Sequence, residues 1–233
     1  MNYLKTVKIC SLLLSTVVIV ASCKKDKKEE EPTVAPYYYK LERIENFSSS
    51  VTGATTIYFN FANKKEVAAS QAKTNDWDMA FGGLLASFVS GNNGADAVNY
   101  GTGGTAVGGA LVIEKPFDEV TDIPASAGFK TGKDLFGMDK EGARADGIGW
   151  YLYDETGLIR GDGSARKKHV VYAMPEKRTV VIRAANGDFV KVKMISCYKD
   201  AFTADKWFID STKMFYTFEY VIVPKGSTKF VIK

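Results

Sequence analysis

The sequence is poor in the residues that most catalytic and metal-binding motifs require. It contains one histidine, His169, in 233 residues. A single histidine excludes the His-Glu-x-x-His motif of zinc hydrolases, and the chain has no Gly-x-Ser-x-Gly nucleophile elbow and no paired metal-ligand motif. Because the carboxylates also form no paired constellation, we predict that the protein is not an enzyme.

Cysteine is equally scarce, with only Cys10, Cys23 and Cys197. Cys10 falls in the predicted signal peptide and Cys23 at its cleavage site, so Cys197 is left alone and an internal disulfide is excluded. Cys197 ends a strand-like stretch, and we expect it to be a buried, unreactive thiol.

Positive charge is too sparse for a nucleic-acid partner. The formal net charge of +4 includes lysines of the amino-terminal segment, so the rest of the chain is nearly balanced.

No apolar run is long enough to span a membrane. The run Ser11–Ala21 falls short of the roughly 20 residues that a span requires. It follows the basic residues Lys5 and Lys8 and ends in Val20-Ala21-Ser22-Cys23, which resembles a bacterial lipobox. We therefore predict a signal peptide over residues 1–22 and a lipidated Cys23 that anchors the chain to a membrane. A cleavable signal without lipid is the alternative.

A charged tether follows the predicted anchor. Residues 23–36 contain the run Lys24–Pro32, which has no apolar side chain and cannot bury surface, so we expect it to be disordered. The acidic residues behind Cys23 resemble the surface-export signal of some outer-membrane lipoproteins. A simple solvated spacer is the other interpretation.

What the sequence does contain is typical of strands and turns. It has 14 Phe, 12 Tyr, 3 Trp and 21 Gly, and apolar residues alternate with polar ones in several stretches. We predict one mostly β domain over residues 37–233, either all-β or β-rich α+β, with antiparallel sheets and long loops. Asp76–Phe81 should bury Trp77, Met79 and Phe81 together, or at least two of the three.

Two further segments support this fold class. Arg178–Tyr198 should form a hairpin that turns at Asn186-Gly187 in type I′ geometry. The alternating run from Met214 to Ile222 should form a closing strand with Met214 on its core face. By contrast, the glycine-rich segment Gly91–Gly109 has little to pack and should be an irregular, mobile surface loop.

Several segments together resemble the HmuY family of haem-binding outer-membrane lipoproteins. They extend over nearly the whole predicted mature chain in matching order, and they are Asn75–Phe81, Phe117–Pro124, Gly149–Tyr151, Arg178–Val192 and Phe215–Tyr220. The resemblance implies a β domain shaped like a hand that grips haem between loops at one end. It also implies a lipid-anchored, surface-exposed haemophore that passes haem to an outer-membrane receptor.

The resemblance leaves the iron ligands open. Members of the family use two histidines or, in some relatives, methionines, and the single histidine here excludes a pair of histidines from one chain. Met138 and Met174 lie in polar turns where methionine has no evident core to fill, and His169 opens a predicted strand. We take these three residues as candidate haem ligands.

Other methionines and a basic run complete the candidate set. Met79, Met194 and Met214 fall on alternating strand faces and are expected in the core. Arg166–Lys168 lies next to His169, and these side chains are candidate partners for haem propionates or simply a solvated face. The alternative function is a surface lipoprotein of the same fold that binds another small molecule, a glycan or a partner protein.

Overall fold

The computed structural model describes residues 35–233, and strands joined by turns and by longer loops make up this part of the chain. Its strands are β1 Glu42–Phe47, β2 Ile57–Asn60, β3 Lys65–Val67, β4 Met79–Gly82, β5 Phe88–Gly91, β6 Gly109–Ile113, β7 Tyr151–Asp154, β8 Val170–Ala173, β9 Thr179–Arg183, β10 Phe189–Tyr198 and β11 Lys213–Val223. Single 3₁₀ turns lie at Ala69–Gln71, Leu84–Ala86, Phe117–Glu119, Ser126–Gly128, Ala165–Lys167 and Ala204–Lys206.

The predicted membrane attachment lies outside the described residues. This applies to the signal peptide, to Cys23 and to the tether up to residue 34. Between residues 35 and 233, none of the helical segments has the length and apolar character needed to cross a bilayer.

The strands form three antiparallel sheets. The largest has the order β1-β11-β10-β9-β6, the second has the order β3-β2-β4-β5, and β7 pairs with β8 alone. The predicted mostly β fold class is confirmed.

The two large sheets pack against each other through aromatic side chains. The ring of Phe59 on β2 lies 5.2 Å from that of Phe218 on β11, and Phe81 on β4 stacks on Tyr216 at 3.9 Å between ring centroids. All four rings are at most 1% exposed. Each buried aromatic side chain stabilises the fold by roughly 1.5–3 kcal/mol, so this layer is a principal source of stability. The alternation in β11 therefore faces the core, as predicted.

The predicted hairpin is present, but its turn differs in type. β9 and β10 pair in register, and the chain reverses over Ala184–Asp188, where the Gly187 N–H donates to the Ala184 carbonyl at 3.0 Å. Gly187 has a φ of +92°, whereas Asn186 does not adopt a positive φ. A type I′ turn needs positive φ at both positions, so this is the longer, bulged kind of hairpin turn.

Trp77 corrects one detail of the predicted alternation. Trp77, Met79 and Phe81 are all fully buried. Met79 and Phe81 join the main core, whereas Trp77 packs with Tyr58 on the other face of the second sheet. The reason is that β4 begins only at Met79, so the two-residue period does not extend back to Trp77.

The glycine-rich segment is irregular, as predicted, but it is not a loosely packed surface loop. Three of its polar side chains are buried, with Asn92, Asn93 and Asn99 at most 6% exposed. The Asn99 side-chain NH₂ group donates to the backbone carbonyls of Gly91 and Gly132 at 2.8 and 3.0 Å. Asparagine amides thus replace the ladder bonds that a strand would supply.

Candidate functional site

An apolar cavity of about 180 Å³ opens where four separate chain segments meet. The segments are the turn between β4 and β5, the stretch that leads to β7, the β7–β8 pair, and the facing ends of β10 and β11. The lining residues are mostly apolar or aromatic and are Leu84, Leu85, Ser87, Met138, Arg144, Tyr151, Tyr153, Val171, Cys197, Lys213, Met214 and Tyr216. We call this cavity the thioether pocket, because Met138 and Met214 both line it.

The turn between β4 and β5 presents two leucines to solvent at the edge of the pocket. Leu84 is 63% exposed and Leu85 is 65% exposed. Leu85 also has a φ of +52° and a ψ of +35°, a left-handed conformation that leucine rarely adopts. The turn is fixed from both sides, because the Tyr216 hydroxyl donates to the Ala86 carbonyl and the Trp150 indole N–H donates to the Ser87 carbonyl.

Met138 is held in place by the buried ion pair beside it. The Asp139 carboxylate is fully buried and accepts from the Arg178 guanidinium at 2.7 Å and from the Gly149 N–H at 3.0 Å. Burial alone would raise the pKa of Asp139, but these hydrogen bonds hold it below its ordinary value. Met138 itself is half-buried and pairs with Tyr151 as an isolated parallel bridge. The polar turn predicted from the sequence is therefore a rigid wall of the pocket.

Met214 is not the core residue that the alternation predicts. It is half-buried and has a φ of +68°, close to the start of β11. The positive φ interrupts the regular pleat, and the Met214 side chain packs against the edge of the main core and lines the pocket together with Tyr216. Met79 and Met194, by contrast, are buried in the core, as predicted.

The other two predicted ligands do not line the pocket. Met174 is fully buried in the main hydrophobic core, which corrects the expectation that it has no core to fill. His169 is exposed and has a φ of +57°. Its Nδ1 lies 2.7 Å from the hydroxyl of Tyr153, which does line the pocket. Of the three candidates, only Met138 reaches the cavity directly.

Two cationic side chains belong to the pocket. The Arg144 guanidinium forms a two-pronged pair with Glu155, with 2.9 Å between Nε and Oε2. The Lys213 ammonium donates to the Ile209 carbonyl at 2.8 Å, and burial lowers its pKa. An otherwise apolar cavity with two cations in its lining suits a flat hydrophobic molecule with an anionic edge.

The basic run Arg166–Lys168 lies elsewhere. The Lys167 ammonium donates to the carbonyls of Ala204, Asp205 and Trp207 at 2.9–3.2 Å, and the Arg166 guanidinium sits 4.0 Å from the Phe208 ring centroid. These two side chains therefore stabilise the 3₁₀ turn at Ala204–Lys206, and none of the three residues lines the thioether pocket.

A second cavity of about 440 Å³ adjoins the first. Leu85, Lys213 and Met214 line both, and the larger cavity continues along the loop Ser48–Thr55. The thioether pocket is smaller than the roughly 300–1,000 Å³ that small-molecule sites occupy, whereas the adjoining cavity lies within that range. The Leu85 and Met214 side chains stand at the boundary between them.

The remaining lining groups offer no competing metal site. In residues 35–233, no group of three or more histidine, cysteine, aspartate or glutamate side chains is arranged to hold a metal ion. Cys197 is 6% exposed, and burial raises its pKa to about 12, so its thiol is protonated at neutral pH. This agrees with the unreactive thiol predicted from the sequence. The soft donors that remain in the pocket lining are the two thioethers, of Met138 and Met214.

Sequence reasoning missed Met214, Arg144 and the leucine pair. Met214 was hidden by the alternation that it shares with the residues after it. Arg144 and Leu85 both adopt positive φ, which side-chain patterns do not reveal. The adjacent leucines in Gly83-Leu84-Leu85-Ala86 were the one available signal, because two apolar residues in a turn are unusual.

Comparisons with known proteins identify a matching family and a similar solved structure. The family model described as HmuY protein matches residues 53–220. The crystal structure of the apo HmuY analog of Tannerella forsythia is similar at 15% identity and a TM-score of 0.40, covering 79% of this chain and 98% of that one. No curated protein matches the sequence.

Proposed function

This chain is a member of the HmuY family, and on that premise we propose that it binds haem in the thioether pocket. The observation that carries the proposal is the presence of Met138 and Met214, two soft donors from separate chain segments, in the lining of one apolar cavity. In this proposal Met214 takes the place of Met174, which is packed in the core.

The chain supplies the ligands and the apolar walls, and haem would supply the iron and the flat ring. Thioether sulfur is a soft ligand and favours ferrous iron over ferric iron. We therefore expect reduced haem to bind more tightly than oxidised haem. Leu84, Leu85 and Tyr151 would pack on the ring, whereas Tyr153, hydrogen-bonded to His169, would mark its polar edge.

The thioether pocket alone is too small for haem, so binding requires that the ligand occupy the pocket and the adjoining cavity together. Because Leu85 and Met214 line both, a change in their side-chain rotamers would join the two spaces into one slot. Exposed side chains change rotamer within nanoseconds, so Leu85 is not an obstacle to entry.

We propose the cellular role that the family relationship and the amino-terminal sequence support. The protein would be held at the outer-membrane surface by lipid on Cys23, would capture haem and would hand it to an outer-membrane receptor. It would act as a binding protein and not as an enzyme. Exposed leucines beside the pocket leave the ligand accessible to such a receptor.

Haem titration of single variants tests the proposal. Met138→Ala and Met214→Ala should each weaken binding of reduced haem by about tenfold or more, equivalent to about 1.4 kcal/mol, with loss of the sharpened Soret band. Met174→Ala is the matched control, because it removes the same side chain from the core and should lower stability without changing affinity. His169→Ala should have little effect.

Three results would contradict this assignment. If His169→Ala or Met174→Ala abolishes the Soret change while Met214→Ala does not, the ligand pair is different. If none of the variants matters, the iron is not held by these residues. If the wild-type protein shows no Soret change with micromolar haemin, oxidised or reduced, the protein binds another ligand.

A further inference from the structure

The two cationic residues of the thioether pocket differ in how strongly other groups of the protein hold their side chains in place. Lys213 is held by the carbonyl of Ile209, and its ammonium lies 5.3 Å from the Tyr198 ring centroid. Arg144 is paired only with Glu155 among the described side chains, and its own side chain is 65% exposed. Of the two, Arg144 is the cation that a ligand can engage.

The backbone beside Arg144 fixes where its side chain begins. Arg144 has a φ of +67°, and the N–H of the preceding residue, Ala143, donates to the Tyr153 carbonyl on β7 at 2.8 Å. Glu155 follows the same strand, and its backbone carbonyl accepts from the His169 N–H at 3.3 Å. Both partners of the ion pair are therefore attached to the edge strand that carries Tyr151 and Tyr153 into the pocket.

The pairing itself indicates the chemistry that Arg144 accepts. A guanidinium presents five N–H donors, and Glu155 engages Nε and one terminal nitrogen in the fork geometry typical of carboxylates. Ion pairs at the protein surface are weak because solvent and salt screen them. Exchanging one carboxylate for another at Arg144 is therefore inexpensive.

We infer that Arg144 receives a carboxylate of the bound ligand and that Glu155 occupies this position when no ligand is present. Arg144 is then a specificity-determining residue that selects flat apolar molecules with an acidic edge over neutral ones of the same shape. Glu155 weakens binding by competing for the same donors. This inference rests on the proposed function, because it places the ligand in the thioether pocket, but it does not depend on the iron ligands.

Metal-free porphyrins separate the carboxylate contact from iron ligation. Protoporphyrin IX carries two carboxylates, and its dimethyl ester carries none. Titration of the wild-type protein, followed by porphyrin fluorescence, should give about fivefold tighter binding of the acid than of the ester, with the difference shrinking as salt is added. Arg144→Gln should bring the two affinities together, and Arg144→Lys should restore part of the difference.

Two more variants make the test specific. Glu155→Gln should tighten binding of the acid and leave the ester unchanged. Arg160→Gln is the matched control, because Arg160 also pairs with a glutamate, Glu176, but does not line the pocket. It should behave as the wild type.

The outcomes distinguish this inference from the haem assignment. Equal binding of acid and ester by the wild type, or a preference that survives Arg144→Gln, would overturn the role of Arg144 even if haem binds. A carboxylate preference that depends on Arg144, together with haem binding that is insensitive to Met138→Ala and Met214→Ala, would support Arg144 and overturn the ligand pair. Binding of reduced haem without binding of either metal-free porphyrin would overturn the role of Arg144 alone, and no binding of haem or of porphyrin would overturn both.

Discussion

The glycine-rich segment, residues 91–109, and the thioether pocket differ in which kind of side chain they bury and which kind they expose to solvent. In the segment, Asn92, Asn93 and Asn99 are buried, and their side-chain NH₂ groups donate to backbone carbonyls of the protein, although the Asn92 Oδ1 has no hydrogen-bond partner among the described residues. At the pocket, Leu84 and Leu85 are mostly exposed, although their side chains are apolar. The segment that the sequence predicts to be a mobile surface loop is packed against the rest of the protein, whereas the short turn between β4 and β5 exposes its apolar side chains.

This difference indicates where a ligand gains most. Polar groups that are already paired within the protein have nothing further to offer, because a new partner would only replace an existing bond. Exposed leucines still have apolar surface to bury, at about 25 cal/mol per Å². A leucine at positive φ also destabilises the turn, because the left-handed backbone conformation is unfavourable for this residue and its exposed side chain gains no compensating burial in the free protein.

The largest effect is expected inside the glycine-rich segment. Asn99→Ala removes the donor to Gly91 and Gly132 and the acceptor for the Asn93 and Gly101 N–H groups. Leaving these buried groups unpaired should lower the free energy of unfolding by about 3–5 kcal/mol, measured by urea denaturation. Asn75→Ala, which removes an exposed bond to Thr105, is the control and should cost less than about 0.5 kcal/mol. A similar loss in both variants would show that the burial of Asn99 is not what closes the segment.

A pH dependence of intermediate size is expected next to the same segment. The Asp78 carboxylate accepts from the Phe61 and Ala185 N–H groups, and its backbone carbonyl accepts from Asn92. Burial raises the pKa of Asp78 from 3.8 to about 6. With a raised folded-state pKa, the stabilisation is fully present below pH 3.8 and is lost as the pH rises through about 6.

The free energy of unfolding should therefore fall by about 1 kcal/mol between pH 5 and pH 7, because Asp78 in the folded protein loses its proton over this range. Urea denaturation at the two pH values measures the change, and carbon NMR of the Asp78 carboxyl group identifies its source. Stability that rises over this range, or an Asp78 that titrates near 4, would contradict the prediction.

The smallest change in stability is expected at the pocket. Leu85→Asn places a residue that tolerates φ of +52° in an exposed turn, so the free energy of unfolding should stay the same or rise by up to about 1 kcal/mol. Haem affinity should fall about threefold because apolar contact is lost. Unfolding and Soret titrations of the same preparation test both halves. A clear loss of stability would mean that Leu85 is a structural residue and that the contrast with Asn99 is false.

Local patterns in the sequence predicted several of the strands. Alternation located β11, and Asn186-Gly187 located the β9–β10 turn, because both signals depend on residues a few positions apart. The same reasoning misassigned Trp77 and Met214, where β4 begins later than the pattern suggests and where a positive φ interrupts β11. It also treated Met174 as unpacked, because its core neighbours come from strands distant in sequence.

The sequence by itself determined the β class, the scarcity of catalytic and ligating side chains, and the family. The first two follow from composition, short-range periodicity and counting, and the family follows from the resemblance of several segments along the chain. Tertiary structure alone decided which methionines line one cavity and which cations share that lining. Met138, Arg144 and Met214 are not related by any helical or strand periodicity in the sequence. Only the packing of β7, β10 and β11 brings them to one cavity. Side-chain contacts between segments distant in sequence depend on the fold, and local sequence patterns do not predict them.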